Sequence, residues 1–172
     1  MTSDAIAHGT SSTRGNTHVL RFALHLPHSL EQVWAAVATP RGLPGWLAAA
    51  DVLEPRLGGA VTLRWLNGES DSVHSGTVTA WEVQRVAEYT VDLHGRIRFH
   101  LEPVGSQAAV VRFTNEFTGP DSLRLDCLAG WHHHFEFLYD ALEGSPKDWA
   151  TWNLDRWREL RAAYETAGGK HA

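Results

Sequence analysis

Three consecutive histidines, His132, His133 and His134, are the residues whose types most invite chemistry. Imidazole binds metals and moves protons near neutral pH. Their spacing argues against one shared ion. Successive side chains on a helix point about 100° apart, and metal-binding helices space their histidines by three or four residues. No CxxC or HExxH spacing accompanies them, so neither a metal nor any other cofactor is expected. His133 should face solvent, while His132 and His134 flank an inward stripe on opposite sides. His134 then becomes a polar group in a cavity wall, which His74 and His100 on strands join only if the fold brings them there. Asn115 shares a strand face with Val111, Phe113 and Phe117 and should point inward. A buried amide needs partners, either a neighbouring strand or a ligand in an apolar pocket. The single cysteine, Cys127, lies beside an apolar helical stripe and reads as a small buried hydrophobe. There is no GxSxG, no paired acid and base, and no phosphate cradle at Gly58-Gly59, so no catalytic residue is assigned.

Eight tryptophans in 172 residues supply large rigid apolar surfaces. Trp34 and Trp131 fall on helical faces and read first as core. Trp46, Trp65, Tyr89 and Phe99 fall where a curved sheet and short helices would bound a cavity, and a flat aromatic ligand would stack there. A net charge of −5 gives no reason to expect nucleic acid. No segment approaches the roughly 18 apolar residues of a membrane span, so no membrane insertion is expected. The reducing cytoplasm is the expected location.

These residues must be positioned by one long helix. Leu128, Trp131, Phe135, Leu138 and Leu142 recur at helical spacing within Asp121–Gly144, and Pro146 forbids continuation. That helix needs a long apolar surface, and strands supply it. His18–Leu26 alternates; Ser29 with Gln32 forms a capping box; Thr39-Pro40 opens a second short helix ending near Trp46. From Val52 to Phe117 alternating strands are separated by turn signals such as Asn67-Gly68 and His94-Gly95, and Gly76 marks a bulge or close approach. A terminal helix follows Ser145-Pro146 and reaches about Glu165. The order implies an α+β fold, with about six or seven antiparallel strands curved around the long helix. Residues 1–17 read as a disordered leader, 18–166 as one domain, and 167–172 as a disordered tail.

The stretches PHSLEQVWAAVATPRGLPGWL, LEPRLGGAVTLRW with SGTVTAWEVQRVAEYT, and AGWHHHFEFLYDALEG resemble SRPBCC proteins of the START-like helix-grip superfamily. They are most similar to its bacterial branch related to the C-terminal domain of the activator of heat-shock-protein-90 ATPase. The resemblance implies a helix-grip fold with a cavity between sheet and long helix, and carries over no catalytic motif. Superfamily members include lipid carriers, hormone receptors and polyketide cyclases. The expected function is therefore binding of a small hydrophobic or aromatic molecule, without chemistry of its own. The expected lining is Trp46, Trp65, His74, Tyr89, Phe99, Phe113, Asn115, Trp131, His134, Phe135 and Leu138. A cyclase or hydrolase using Asn115, His74 and His134 is the alternative, and a co-chaperone-like interaction domain a third reading. Homodimerisation is left open.

Overall fold

The computed structural model describes residues 6–68 and 72–168. Eight strands form one antiparallel sheet: β1 (Thr10–Arg14), β2 (Thr17–Leu26), β3 (Ala48–Leu53), β4 (Ala60–Trp65), β5 (Ser72–Glu82), β6 (Val86–Val91), β7 (Gly95–Val104) and β8 (Ala108–Thr118). Their order across the sheet is β1-β2-β8-β7-β6-β5-β4-β3. Helix α1 (Leu30–Ala38) follows β2, α2 (Asp121–Leu142) lies in the grip of the sheet, and α3 (Asp155–Gly168) packs on α2.

The local signals explain most boundaries. Ser29 and Gln32 close the capping box at the start of α1. Thr39 at its end is extended (φ −129°, ψ 149°), as the ring of the following Pro40 demands. The expected second helix therefore does not form, and only one 3-10 turn, Leu43–Gly45, occupies that stretch. Gly76 is a close approach: a Cβ there would come 1.8 Å from the Thr90 carbonyl oxygen. The bulge in β5 falls later, between Val78 and Ala80.

Two expected disordered ends are corrected. Within 1–17, Thr10–Arg14 is a strand paired along β2, and Ile6 is buried. Gly9 N donates to the Tyr164 hydroxyl at 2.8 Å, and the His8 ring stacks on Tyr164 at 4.4 Å. Residues 1–5 of that leader lie outside the described residues. At the other end α3 runs to Gly168, and the rest of the expected tail, 169–172, is outside them too. The terminal helix also starts later than expected, at Asp155, whose N–H donates to the Asn153 side chain at 2.9 Å. Before it, Trp149–Thr151 forms a separate 3-10 turn capped by Asp148.

The centre of the grip is filled. Cross-strand register aligns Phe22, Phe113, Phe99 and Ala87 in one row across β2, β8, β7 and β6. Phe135 of α2 meets this row, with ring centroids 5.0 Å from both Phe22 and Phe113. Trp131 lies 4.5 Å from Phe113, and Trp46 lies 5.9 Å from Phe99. Rings this close and tilted give the interlocked packing of a core.

Candidate functional site

Beyond the phenylalanine row the inward strip thins. Towards the hairpin tips Trp65 faces Ser72, and Gly95 faces Val91. A pocket of about 370 Å³ opens there, between the first half of α2 and the tips of the β4–β5 and β6–β7 hairpins. Its apolar wall is Leu47, Trp65, Leu93, Trp131 and Trp157, the last contributed by α3. Its polar wall includes His94, His134 and Asp126.

The hydrogen bonds settle how these polar groups present themselves. His134 Nδ1 lies 2.9 Å from the Trp46 carbonyl oxygen. A carbonyl only accepts, so Nδ1 carries the proton and Nε2 keeps a lone pair. His94 Nε2 accepts from the Trp65 indole N–H at 2.8 Å, so its proton sits on Nδ1. Burial pulls both imidazoles down to about 4, with neighbouring histidines adding to the effect on His94 and the Trp46 carbonyl opposing it on His134. Both are neutral at physiological pH. Asp126 accepts from Arg161 Nε at 2.7 Å. Burial, with Asp126 beside it, pushes the Cys127 thiol up to about 12, so this pocket residue is no thiolate nucleophile.

Of the expected lining, Trp65, Trp131 and His134 border the pocket. Trp46, Tyr89, Phe99, Phe113, Phe135 and Leu138 do not; all are buried core residues. For Trp46 and Tyr89 the reason is specific. The Trp46 indole donates to the Ala36 carbonyl and the Tyr89 hydroxyl to the Val37 carbonyl, each at 2.8 Å. These carbonyls belong to the last turn of α1, where no helical donor reaches them.

Asn115 points inward but is fully engaged. Its Nδ2 donates to the His94 and Arg96 carbonyls, and its Oδ1 accepts from the Trp131 indole, all at 2.9 Å. It braces the β6–β7 turn against α2 and does not border the pocket. His74 does not border it either: Nε2 lies 2.7 Å from Ser72 Oγ, and the ring meets His94 edge-on at 4.6 Å. His100 alternates with the buried Phe99 and Leu101 and takes the outer face of β7. The structure therefore does not assemble Asn115, His74 and His134 into one proton-transfer set.

The triple histidine diverges as helical geometry requires. His132 Nδ1 approaches the Tyr164 hydroxyl at 2.8 Å, while His134 turns to Trp46. His133 is buried rather than solvent-facing, because the chain after α2 doubles back over it. Lys147 N donates to the Gly45 carbonyl at 2.8 Å, Trp149 Nε1 to the Pro44 carbonyl at 2.7 Å, and Arg156 clamps Glu136. Among the described residues no three His, Cys, Asp or Glu side chains are placed to share a metal ion. No helix among them is long and apolar enough to cross a membrane.

Sequence reasoning missed the other nine described lining residues, Leu47, Asn67, Leu93, His94 and Trp157 among them. The His94-Gly95 turn was legible, but the return of α3 to the hairpin tips carried no local signal.

The profile of the activator of Hsp90 ATPase homolog 1-like protein family matches residues 27–143. No curated protein matches the chain. Among solved structures, a conserved protein of unknown function from Enterococcus faecalis is similar, with 14% identity, TM-score 0.72, and coverage of 95% of this chain and 92% of that one. A protein from Bordetella parapertussis shares 23% identity with TM-score 0.66, covering 96% and 94% of the two chains. CalU16 from Micromonospora echinospora shares 16% identity at TM-score 0.66, covering 94% and 95%. At these identities the likeness speaks for the fold alone.

Proposed function

The chain belongs to the activator of Hsp90 ATPase homolog 1-like protein family, and on that premise we propose that it binds a small apolar or aromatic molecule beside α2, with no chemistry of its own. One observation carries this reading. The interior of the grip is packed shut, yet a pocket of about 370 Å³ persists beside it, walled by three indoles from three different elements. That volume is at the small end of ligand sites and suits a molecule of two or three fused rings. Indole walls offer flat faces for stacking at low entropic cost. The Cys127 thiol is held protonated and Asp126 is paired, so the wall offers affinity rather than a nucleophile.

Gly130 makes the test clean. It sits within α2 on the pocket wall, and a Cβ placed there would meet only Trp157 Nε1, at 3.9 Å. A Gly130→Leu chain should fill the pocket while gaining helix propensity worth about 1 kcal/mol. Tryptophan fluorescence should report saturable binding of at least one compound from a panel of flavonoid-like, polyketide-like and acyl ligands. In G130L that binding should weaken at least about tenfold, with the melting temperature equal or higher. Silence across the panel, or undiminished binding in G130L, would overturn the reading.

A further inference from the structure

We infer that the pocket selects neutral aromatic molecules carrying a hydroxyl or equivalent hydrogen-bond donor, and that this donor is received by Nε2 of His134. The inference rests on the pocket being a ligand site, as proposed above, and adds the chemistry of what it takes.

His134 is 9% exposed, and its Nδ1 edge is turned to the Trp46 carbonyl. Nε2 has no protein partner among the described residues, so an acceptor lone pair stands open in the wall. Trp65 and Trp131 flank this imidazole, with centroids 6.2 and 6.5 Å away. Several neighbouring polar groups are already engaged, whereas the Asn67 amide and the Nδ1–H of His94 have no side-chain hydrogen bond among the described residues. His94 Nε2 holds the Trp65 indole, Ser72 Oγ holds His74, and the Asp126 carboxylate holds Arg161. Solvent reaches Nε2, since the one fully buried side-chain polar atom without a partner among the described residues is Trp152 Nε1, and a ligand donor takes the place of that water. A ligand of the same shape without the donor leaves the lone pair dry and unmatched.

Charge narrows the class further. Among the described residues no lysine or arginine lines the pocket, and the one ionised group on its wall is Asp126. An anionic ligand finds no counter-charge there. A cation finds a carboxylate already neutralised by Arg161. A neutral donor, a phenol-type hydroxyl above all, is what the open His134 acceptor matches. Burial holds His134 at about 4, so the acceptor form persists throughout the neutral range.

The experiment uses the full chain and four probes of nearly one shape: 2-naphthol, 2-methoxynaphthalene, 2-naphthoate and the 2-naphthyl trimethylammonium ion. Binding is followed by tryptophan fluorescence at pH 7, and ¹⁵N NMR follows the side-chain nitrogens of His134. 2-Naphthol should bind about fivefold or more tighter than 2-methoxynaphthalene. Its titration alone should move the Nε2 resonance of His134. In His134→Phe, which keeps an aromatic wall without a lone pair, the preference should collapse to near unity. The comparison within the wild-type chain stands even where that variant folds poorly. Equal binding of the naphthol and its methyl ether, a stationary Nε2 resonance, or tighter binding of either ion would overturn the donor inference and leave the pocket reading intact. Absence of binding by every probe and by the wider panel would remove both.

Discussion

Four imidazoles, those of His94, His132, His133 and His134, are held neutral by the same cause. Burial depresses them to about 4, 4, 3 and 4 respectively, with nearby charged groups and histidines adding to the effect in the first three. In the unfolded chain each returns to about 6.5. Between those values the unfolded state binds protons that the folded state refuses. Stability from these groups is therefore complete above about pH 6.5 and is lost as pH falls towards 4, at about 1.4 kcal/mol per pH unit per proton. Glu88 acts in the same direction at lower pH. Burial would raise its carboxyl, but hydrogen bonds from Thr79, Arg98 and Arg96 outweigh that and lower it. Urea unfolding at a series of pH values should show an uptake of more than one proton on unfolding between pH 6.5 and 4.5. Replacing His133, which sits 4.5 Å from the Phe137 ring without a side-chain hydrogen bond among the described residues, by Phe should remove about one proton from that slope. A wild-type slope below one proton would contradict the assignment. None of this was legible from residue types. Helical geometry puts His133 outward only if one side of α2 is covered, and here the returning chain covers a second side. Asn115 was legible as inward, but its three hydrogen bonds to β7, its turn and α2 were not, because they join residues far apart in sequence.

The β6–β7 turn joins strain to the pocket. Leu93 adopts φ +65°, a left-handed conformation that a branched side chain resists, and its side chain is 76% exposed at the pocket mouth. The next residue, His94, donates its backbone N–H to the Asp92 carbonyl at 2.6 Å and presents its ring to Trp65. A large apolar group held open at such a position is better explained by what it can touch than by what it stabilises. Leu93→Asn tolerates the left-handed region and should raise the melting temperature by a few degrees, about 1 kcal/mol of relieved strain. The same change should weaken binding of an aromatic probe several-fold. A variant both less stable and equally tight would show that Leu93 serves the turn alone. The alternating strands and the Ser29–Gln32 box could be read in advance because each carries its signal within a few residues. Strand β1 could not. Its TSSTR sequence has no apolar alternation, and its place comes from the edge of β2 rather than from a buried face.

Across the molecule, strand parity told which residues face inward but not which strands lie side by side. Phe22 and Phe113 pair across 91 positions of sequence, and that pairing completes the row that closes the grip. The expected central cavity therefore became core, and the open volume moved to the hairpin tips, where α3 supplies the outer wall through Trp157. That same helix is fastened at its far end by the contact of Tyr164 with His8, Gly9 and His132. One rigid element thus answers to the amino-terminal residues at one end and to the pocket at the other. The Gly9 amide, which donates to the Tyr164 hydroxyl, becomes a remote reporter of pocket occupancy. A ligand pressed against Trp157 holds α3 in place, so deuterium should enter the Gly9 amide more slowly when the pocket is filled. Exchange followed by NMR with and without a bound aromatic probe should show this slowing, and G130L should show it without any probe.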